Sequence, residues 1–305
     1  MTVSSDMTDA KPRNARRLAL GIAGAALVWL FGVWPPPVWW RDHWPRETAM
    51  MRERRPEANP PTFHPTALKD ISPVLQRMVI IGEDSRFRTH HGVDPAEIGD
   101  ALGLDRGKGV WGTLVAVWRQ RDALRGASTI TQQLAKNLYL SSSRNPLRKV
   151  KEAVTAVRLE LALSKDRILE LYLGAAQWGP GLWGADAASR AYFGVPPSRL
   201  DETQAAALAA TLPHPLSSNP IFRADRTLAR RDLILARYHG GNVYIAPEEE
   251  TDTLAVPVVP PVIPPVLESL TVQVPVRVDS GQDSLQARRT DAQGRTADSS
   301  RDSLP

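Results

Sequence analysis

Cysteine is absent from all 305 residues of the chain. Disulfides, thiolate metal sites and a cysteine nucleophile are therefore excluded, while either side of a membrane stays open as the compartment. Strand-like alternation is scarce between about 66 and 240, and no internal repeat stands out. No zinc-ligand spacing occurs either. Acidic residues are in deficit, with 33 Asp and Glu against 38 Lys and Arg, a formal charge of +5. A basic excess suits nucleic acid, anionic lipid or a phosphorylated substrate, or simply a solvated surface. What is present is ordinary: 42% apolar and 23% charged residues supply a core and a soluble surface for one substantial domain or two small ones.

One long uncharged run exists. Residues 18–34 (LALGIAGAALVWLFGVW) hold neither charge nor proline, and Lys11, Arg13, Arg16 and Arg17 precede them. The run falls a few residues short of the ~20 of a spanning helix. It can be extended past Pro35, Pro36 and Pro37 to Val38, Trp39 and Trp40, where tryptophan suits the headgroup layer. The expected plan is a cytoplasmic tail (1–17), one transmembrane anchor with an interfacial segment (18–40), and a body outside the cytoplasmic membrane, because flanking cations stay inside. A cleaved signal peptide shares the basic and apolar parts, but this run ends in bulky Trp, Phe and Val. A buried helix is the third reading. A body outside the membrane weighs against nucleic acid as a partner.

Residues 41–65 are charged and proline-dotted and read as a linker. From 66 to 240 helical patterns dominate. Ser72-Pro73 ahead of Val74, Leu75, Met78, Val79 and Ile80 predicts a helix with serine as cap and proline at its first position. Residues 129–140 place Ile130, Leu134 and Leu138 on one stripe. Residues 146–163 repeat Val150, Val154, Val157 and Leu161 at three- and four-residue spacing, the pattern of an amphipathic helix. Further helices are predicted over 165–173 and 202–212. Residues 103–125 mix glycines, cations and an apolar patch with Trp111, Leu114, Val115, Val117 and Trp118, either a loop or a surface that meets lipid. Residues 241–305 form a proline-rich and low-complexity extension without a catalytic grouping.

Three clusters hold chemistry-bearing side chains. In EDSRFRTHHG (83–92) two adjacent carboxylates follow an apolar helix. Glu83 there is either a positioned acid or base, or a surface carboxylate paired with Arg86. In GASTITQQLAKN (126–137), Ser128 or Thr129 can cap a helix whose free N–H groups can hold an anion. Gln132, Gln133, Lys136 and Asn137 then form a polar stripe, either solvated or suited to sugar and phosphate. In RKVKE (148–152), Arg148 and Glu152 share a helix face. They make either an i,i+4 ion pair or a carboxylate among cations for a pyrophosphate, which arginine grips with a bidentate fork.

These blocks, with KDRILELYL (165–173) and GPGLWGADAASRAYF (179–193) following in order, resemble those of the monofunctional biosynthetic peptidoglycan transglycosylases of glycosyltransferase family 51. The likeness runs from about 79 to 215. It implies a mainly α fold, a lysozyme-like glycosyltransferase domain with a smaller membrane-proximal lobe, preceded by one transmembrane helix. It implies that lipid II is polymerised into β-1,4-linked glycan with release of undecaprenyl pyrophosphate, at the periplasmic side of the inner membrane. Glu83 matches the family's general base and Glu152 its second catalytic glutamate. Asp84, Phe87 and His90 complete the first motif. Ser128, Thr129, Gln133, Lys136 and Asn137 match the donor-site motif, and Arg148 and Lys149 the phosphate-binding pair. On physical grounds Glu83 needs its pKa raised, by burial or by Asp84, to act as a base near neutral pH. No dedicated metal site and no required cofactor are expected; some family members use a divalent cation such as Mg or Mn. Expected partners are lipid II, the growing glycan, membrane lipid and, through the extension, other wall-synthesis or division proteins.

The chain departs from the family pattern in the length of the segment between the first two blocks, which is longer than usual, and at three positions. Gly126-Ala127 stands where a double glycine is usual, Gly174 where asparagine is common, and Gln177 where glutamate is common. Two other functions fit parts of the pattern: a glycan-cleaving lytic transglycosylase, which needs no cations around Glu152, and a non-catalytic wall-binding scaffold. No serine begins an S-x-x-K tetrad, so peptide cross-linking and β-lactam reactivity are not expected.

Overall fold

The computed structural model describes residues 10–54, 62–95, 128–143 and 145–246. The apolar patch of 103–125, Gly126-Ala127 and the extension beyond 246 lie outside the described residues. All described residues belong to one compact unit, Met1–Pro260. In chain order the helices are α1 (Ala10–Phe31), α2 (Ala49–Glu53), α3 (Pro73–Glu83), α4 (Ile130–Tyr139), α5 (Pro146–Ala162), α6 (Lys165–Ala175), α7 (Ala185–Phe193), α8 (Glu202–Thr211) and α9 (Ala224–Tyr238). Three short strands, β1 (Thr62–Phe63), β2 (Gln177–Gly179) and β3 (Leu182–Trp183), form a sheet in the order β1-β3-β2, with β1 parallel and β2 antiparallel to β3. The fold is mainly α-helical, as the patterning predicts.

Two helix groups build the core. Helix α8 packs against α3 and α9. Its sequence, ETQAAALAAT, is buried from Ala205 through Thr211. A helix apolar on every side belongs inside, and alanine lets neighbouring backbones come close. Thr211 satisfies its own hydroxyl by donating to the Ala207 carbonyl. In the second group α4 packs on α5 and α6, burying Ile130, Leu134 and Leu138, the stripe read from the sequence.

Several local expectations change. Ser72 and Pro73 do begin α3, but the Ser72 side chain makes no capping bond; Gln76 instead crosses the turn to the carbonyls of Leu68 and Ile71. Residues expected as a linker are partly packed: a capping box on Thr48 starts α2, and Met50 and Met51 are buried with Trp183. In α5 the apolar repeat points outward. Leu147, Val150, Val157 and Leu161 are exposed and Val154 of the repeat is half-buried, because the inward face carries Glu152, Thr155, Ala156 and Leu159.

The amino-terminal helix ends at Phe31, ahead of the prolines. Among the described residues no helix is long and apolar enough to cross a membrane. Trp40 joins the core rather than a headgroup layer, donating its indole N–H to the Tyr139 hydroxyl. Burial and this contact surround a phenol whose pKa is pushed up, desolvation being the main cause. Arg167 of α6 holds the same segment through the carbonyls of Trp40 and His43.

Candidate active site

Helix α3 delivers Glu83 as its last residue and Asp84 as its cap position. Asp84 is buried. Its Oδ2 accepts from the Ile130 N–H at the start of α4, at 2.9 Å, and from His90 Nε2, at 2.9 Å. Gly92 donates its N–H to His90 Nδ1 at 3.1 Å, so Nε2 is the ring nitrogen that donates to Asp84. Thr129 caps α4: its hydroxyl accepts from the Gln132 N–H, while Gln132 returns a bond to the Thr129 N–H. The same hydroxyl donates to the Gly92 carbonyl at 2.6 Å. The loop after α3 and the first turn of α4 are thus stitched together. The helix start does attract an anion, and that anion is Asp84.

Four expected substrate contacts therefore face inward. Asp84, Phe87, His90 and Thr129 are buried, and all but Phe87 are hydrogen-bonded within the protein. Phe87 fills the core beneath the loop, with the Lys165 ammonium 4.6 Å from its ring centre. Arg86 pairs with Asp94 at 2.6 Å.

Glu83 has polar neighbours of its own. Gln133 of α4 donates to its Oε2 at 3.1 Å, and the Arg230 guanidinium of α9 lies 3.4 Å from its Oε1. The Tyr172 hydroxyl donates to Gln133 Oε1 at 2.8 Å, which fixes the amide with its nitrogen toward the carboxylate. The Glu83 side chain is 8% exposed, so the burial suggested by the sequence is present, and an amide and a cation stand against the carboxylate where the sequence also suggested a like-charged Asp84. Asp84 is turned into its own bonds. Arg230 and Tyr172 were not legible as site residues: Arg230 stands in a helix crowded with charge, and only its burial, 4% exposed, sets it apart.

Glu152 sits in the opposite setting. It is 2% exposed, and both oxygens are held by cations: Arg148 at 2.6 Å and Lys149 at 2.5 Å. Lys149 also donates to Ser128 Oγ at 2.5 Å. Ser128 immediately precedes the cap of α4 and Gln133 lies within it, so both carboxylates are tied to the amino-terminal part of one helix. The Arg148–Glu152 pair is an i,i+4 ion pair, and it is also the carboxylate among cations.

Gln133, Lys136, Asn137 and Tyr172 line a shallow depression that continues to Arg54 and Gln177. Arg54 donates to Gln177 Oε1 at 2.5 Å, and Gln177 Nε2 donates to the Gly179 carbonyl at 3.1 Å. An amide serves both contacts; a carboxylate here has nothing to give the carbonyl. Gly174 has a comparably local cause. A Cβ added there would lie 2.8 Å from the Trp44 ring, so the ring occupies the space in which an asparagine side chain would stand. Among the described residues, no three His, Asp or Glu side chains converge as a metal site.

A family model described as Transglycosylase matches residues 54–239. The chain is similar to the biosynthetic peptidoglycan transglycosylase of Laribacter hongkongensis, 41% identical over 216 residues, covering 69% of this chain and 88% of that protein. It is similar to the protein of the same name from Thiobacillus denitrificans, 41% identical over 234 residues, covering 74% and 95%. A third, from Pseudomonas entomophila, is 42% identical over 210 residues, covering 67% and 80%.

Proposed function

The chain belongs to the transglycosylase family and is a peptidoglycan glycosyltransferase, and from that premise we propose how its residues divide the polymerisation of lipid II. Glu83 takes the proton from the 4-hydroxyl of the acceptor lipid II. The freed oxygen attacks the anomeric carbon of the growing chain, the bond from that carbon to the pyrophosphate oxygen breaks, and inversion gives the β-1,4 link. Undecaprenyl pyrophosphate leaves with its electron pair. Negative charge grows on the leaving group, and fixed cations lower the barrier; Lys136, Arg148 and Lys149 are proposed for that task. Asp84, His90 and Thr129 are proposed as supports that hold Glu83 against α4.

The observation that carries the assignment is the contrast between the two carboxylates. Both oxygens of Glu152 are held by cations, which suits organising a phosphate site and not accepting a proton. Glu83 is oriented by the Gln133 amide at 3.1 Å and the Arg230 guanidinium at 3.4 Å, both longer than the contacts that hold the two oxygens of Glu152. Its work belongs to the cell envelope. We further propose that residues 18–34 anchor the chain in the inner membrane as a single pass, with the catalytic domain on the periplasmic side. Exposed Leu18, Leu20 and Leu27 on α1, and the outward apolar stripe of α5 beside it, support a lipid contact.

The test is glycan polymerisation from purified lipid II in detergent. Wild type should give long polymer that moenomycin blocks. Glu83→Gln should lose at least about a hundredfold in turnover, the scale of a positioned base, and Glu152→Gln should also lose heavily. Retained turnover in Glu83→Gln would remove it as the base. Release of fragments from sacculi, with no polymer, would replace the synthetic reading by a lytic one.

A further inference from the structure

Helix α9 is followed by a further described segment. Gly240 takes a left-handed φ of 89°, and Gly241 donates back to the Ala236 carbonyl at 2.8 Å. The chain reverses there and runs back along the helix. Ile245 returns to the core, 6% exposed. The Ala246 carbonyl accepts from Arg230 Nη1 at 3.0 Å. The lengths agree: from Tyr238 back to Arg230 is about 12 Å of helix, and five extended residues reach about 17 Å.

The other arm of the same guanidinium faces the site. Arg230 Nη2 donates to the Gly82 carbonyl at 2.7 Å and lies 3.4 Å from Glu83 Oε1. Gly82 lets α9 come this close, since a Cβ there would sit 3.1 Å from Ile234 Cδ1. Arg230 thus bridges residues 82–83, at the end of α3, to a segment that begins just past the matched span, which stops at 239.

We infer that residues 242–246 are a strap that positions Arg230, and through it Glu83, for the transfer step. A guanidinium is planar and rigid, so an acceptor on one arm fixes the direction of the other. Ile245 supplies the anchoring and the Ala246 carbonyl the aim. The role is one of positioning: the strap reaches the base through the Arg230 guanidinium. The inference rests on Glu83 as general base.

The experiment uses the full chain with Ile245→Asp, which places a charge at the buried anchor, and Tyr244→Asp as control, because Tyr244 is 77% exposed. In lipid II polymerisation Ile245→Asp should lower kcat at least about tenfold with KM within about twofold, the signature of a misplaced base. Amide exchange across residues 80–84 should rise. The control should leave all three unchanged. Wild-type kcat in Ile245→Asp, or a rise in KM alone, overturns the strap. Where Ile245→Asp does not fold, Arg230→Lys, which keeps the charge and loses the fork, must show the same split, and a wild-type kcat there overturns it. If wild type makes no glycan, the function reading fails, and the exchange measurement alone decides: unchanged protection at 80–84 overturns the strap.

Discussion

Asp84 illustrates how a residue of a catalytic motif can serve by holding rather than touching. Its carboxylate accepts from the first N–H of α4 and from His90, both in a dry setting. Removing it leaves a buried donor on each side without its partner, and such losses are large because desolvation is no longer compensated. Asp84→Ala should therefore lower stability by about 2–4 kcal/mol, measured from the denaturant midpoint. A substrate-binding Asp84 gives the reverse result: stability within about 0.5 kcal/mol of wild type and a raised KM. At this scale the sequence was informative about identity and poor about direction. The run 83–92 marks Glu83, Asp84, Phe87 and His90 as a group, but adjacency along a chain does not say which side chains turn inward. Arg230 lies 147 positions from Glu83, and no spacing rule connects them.

Elements show where patterning succeeds and where it stops. The stripe of Ile130, Leu134 and Leu138 is buried as read, and Thr129 with Gln132 closes a capping box that the letters announce. The stripe of α5 is equally clear as a pattern, yet Leu161 is 82% exposed. Periodicity establishes that a helix has an apolar face; it does not name what covers that face. Gly174 is another case, since its reason lies in a tryptophan far away in sequence. Gly174→Asn, the residue common in the family, should not restore anything here. It should cost about 1–3 kcal/mol as overpacking against Trp44, read from thermal unfolding. Adding Trp44→Ala should recover part of that loss through a favourable coupling between the two sites. Strict additivity of the single variants would show that the ring and the glycine are not matched.

At the scale of the molecule, the helical body has to be held to a lipid-borne substrate. Helix α1 ends with carbonyls that need donors, and α5 supplies them: Lys151 to Gly32 at 3.1 Å and Arg158 to Phe31 at 2.5 Å. The same cations lie over the Trp29 and Phe31 rings. Two positive charges at a helix carboxyl end also complement its dipole. Burial lowers the pKa of Lys151, so holding this ammonium here has a desolvation cost, which the carbonyl and ring contacts offset. Helix α5 also carries Arg148, Lys149 and Glu152. The clamp therefore ties the apolar helix directly to the proposed phosphate site, and with the anchor proposed above it would set the height of that site above a membrane. Lys151→Met with Arg158→Met in the full chain should reduce polymerisation of vesicle-borne lipid II about tenfold, equivalent to about 1.4 kcal/mol of positioning, while turnover in detergent stays within about twofold. Detergent removes the surface against which height is measured, so only the vesicle assay should register the loss. An equal fall in both assays would assign the pair to the chemistry beside Glu152 instead, and no fall in either would leave the contact between α1 and α5 without a part in catalysis.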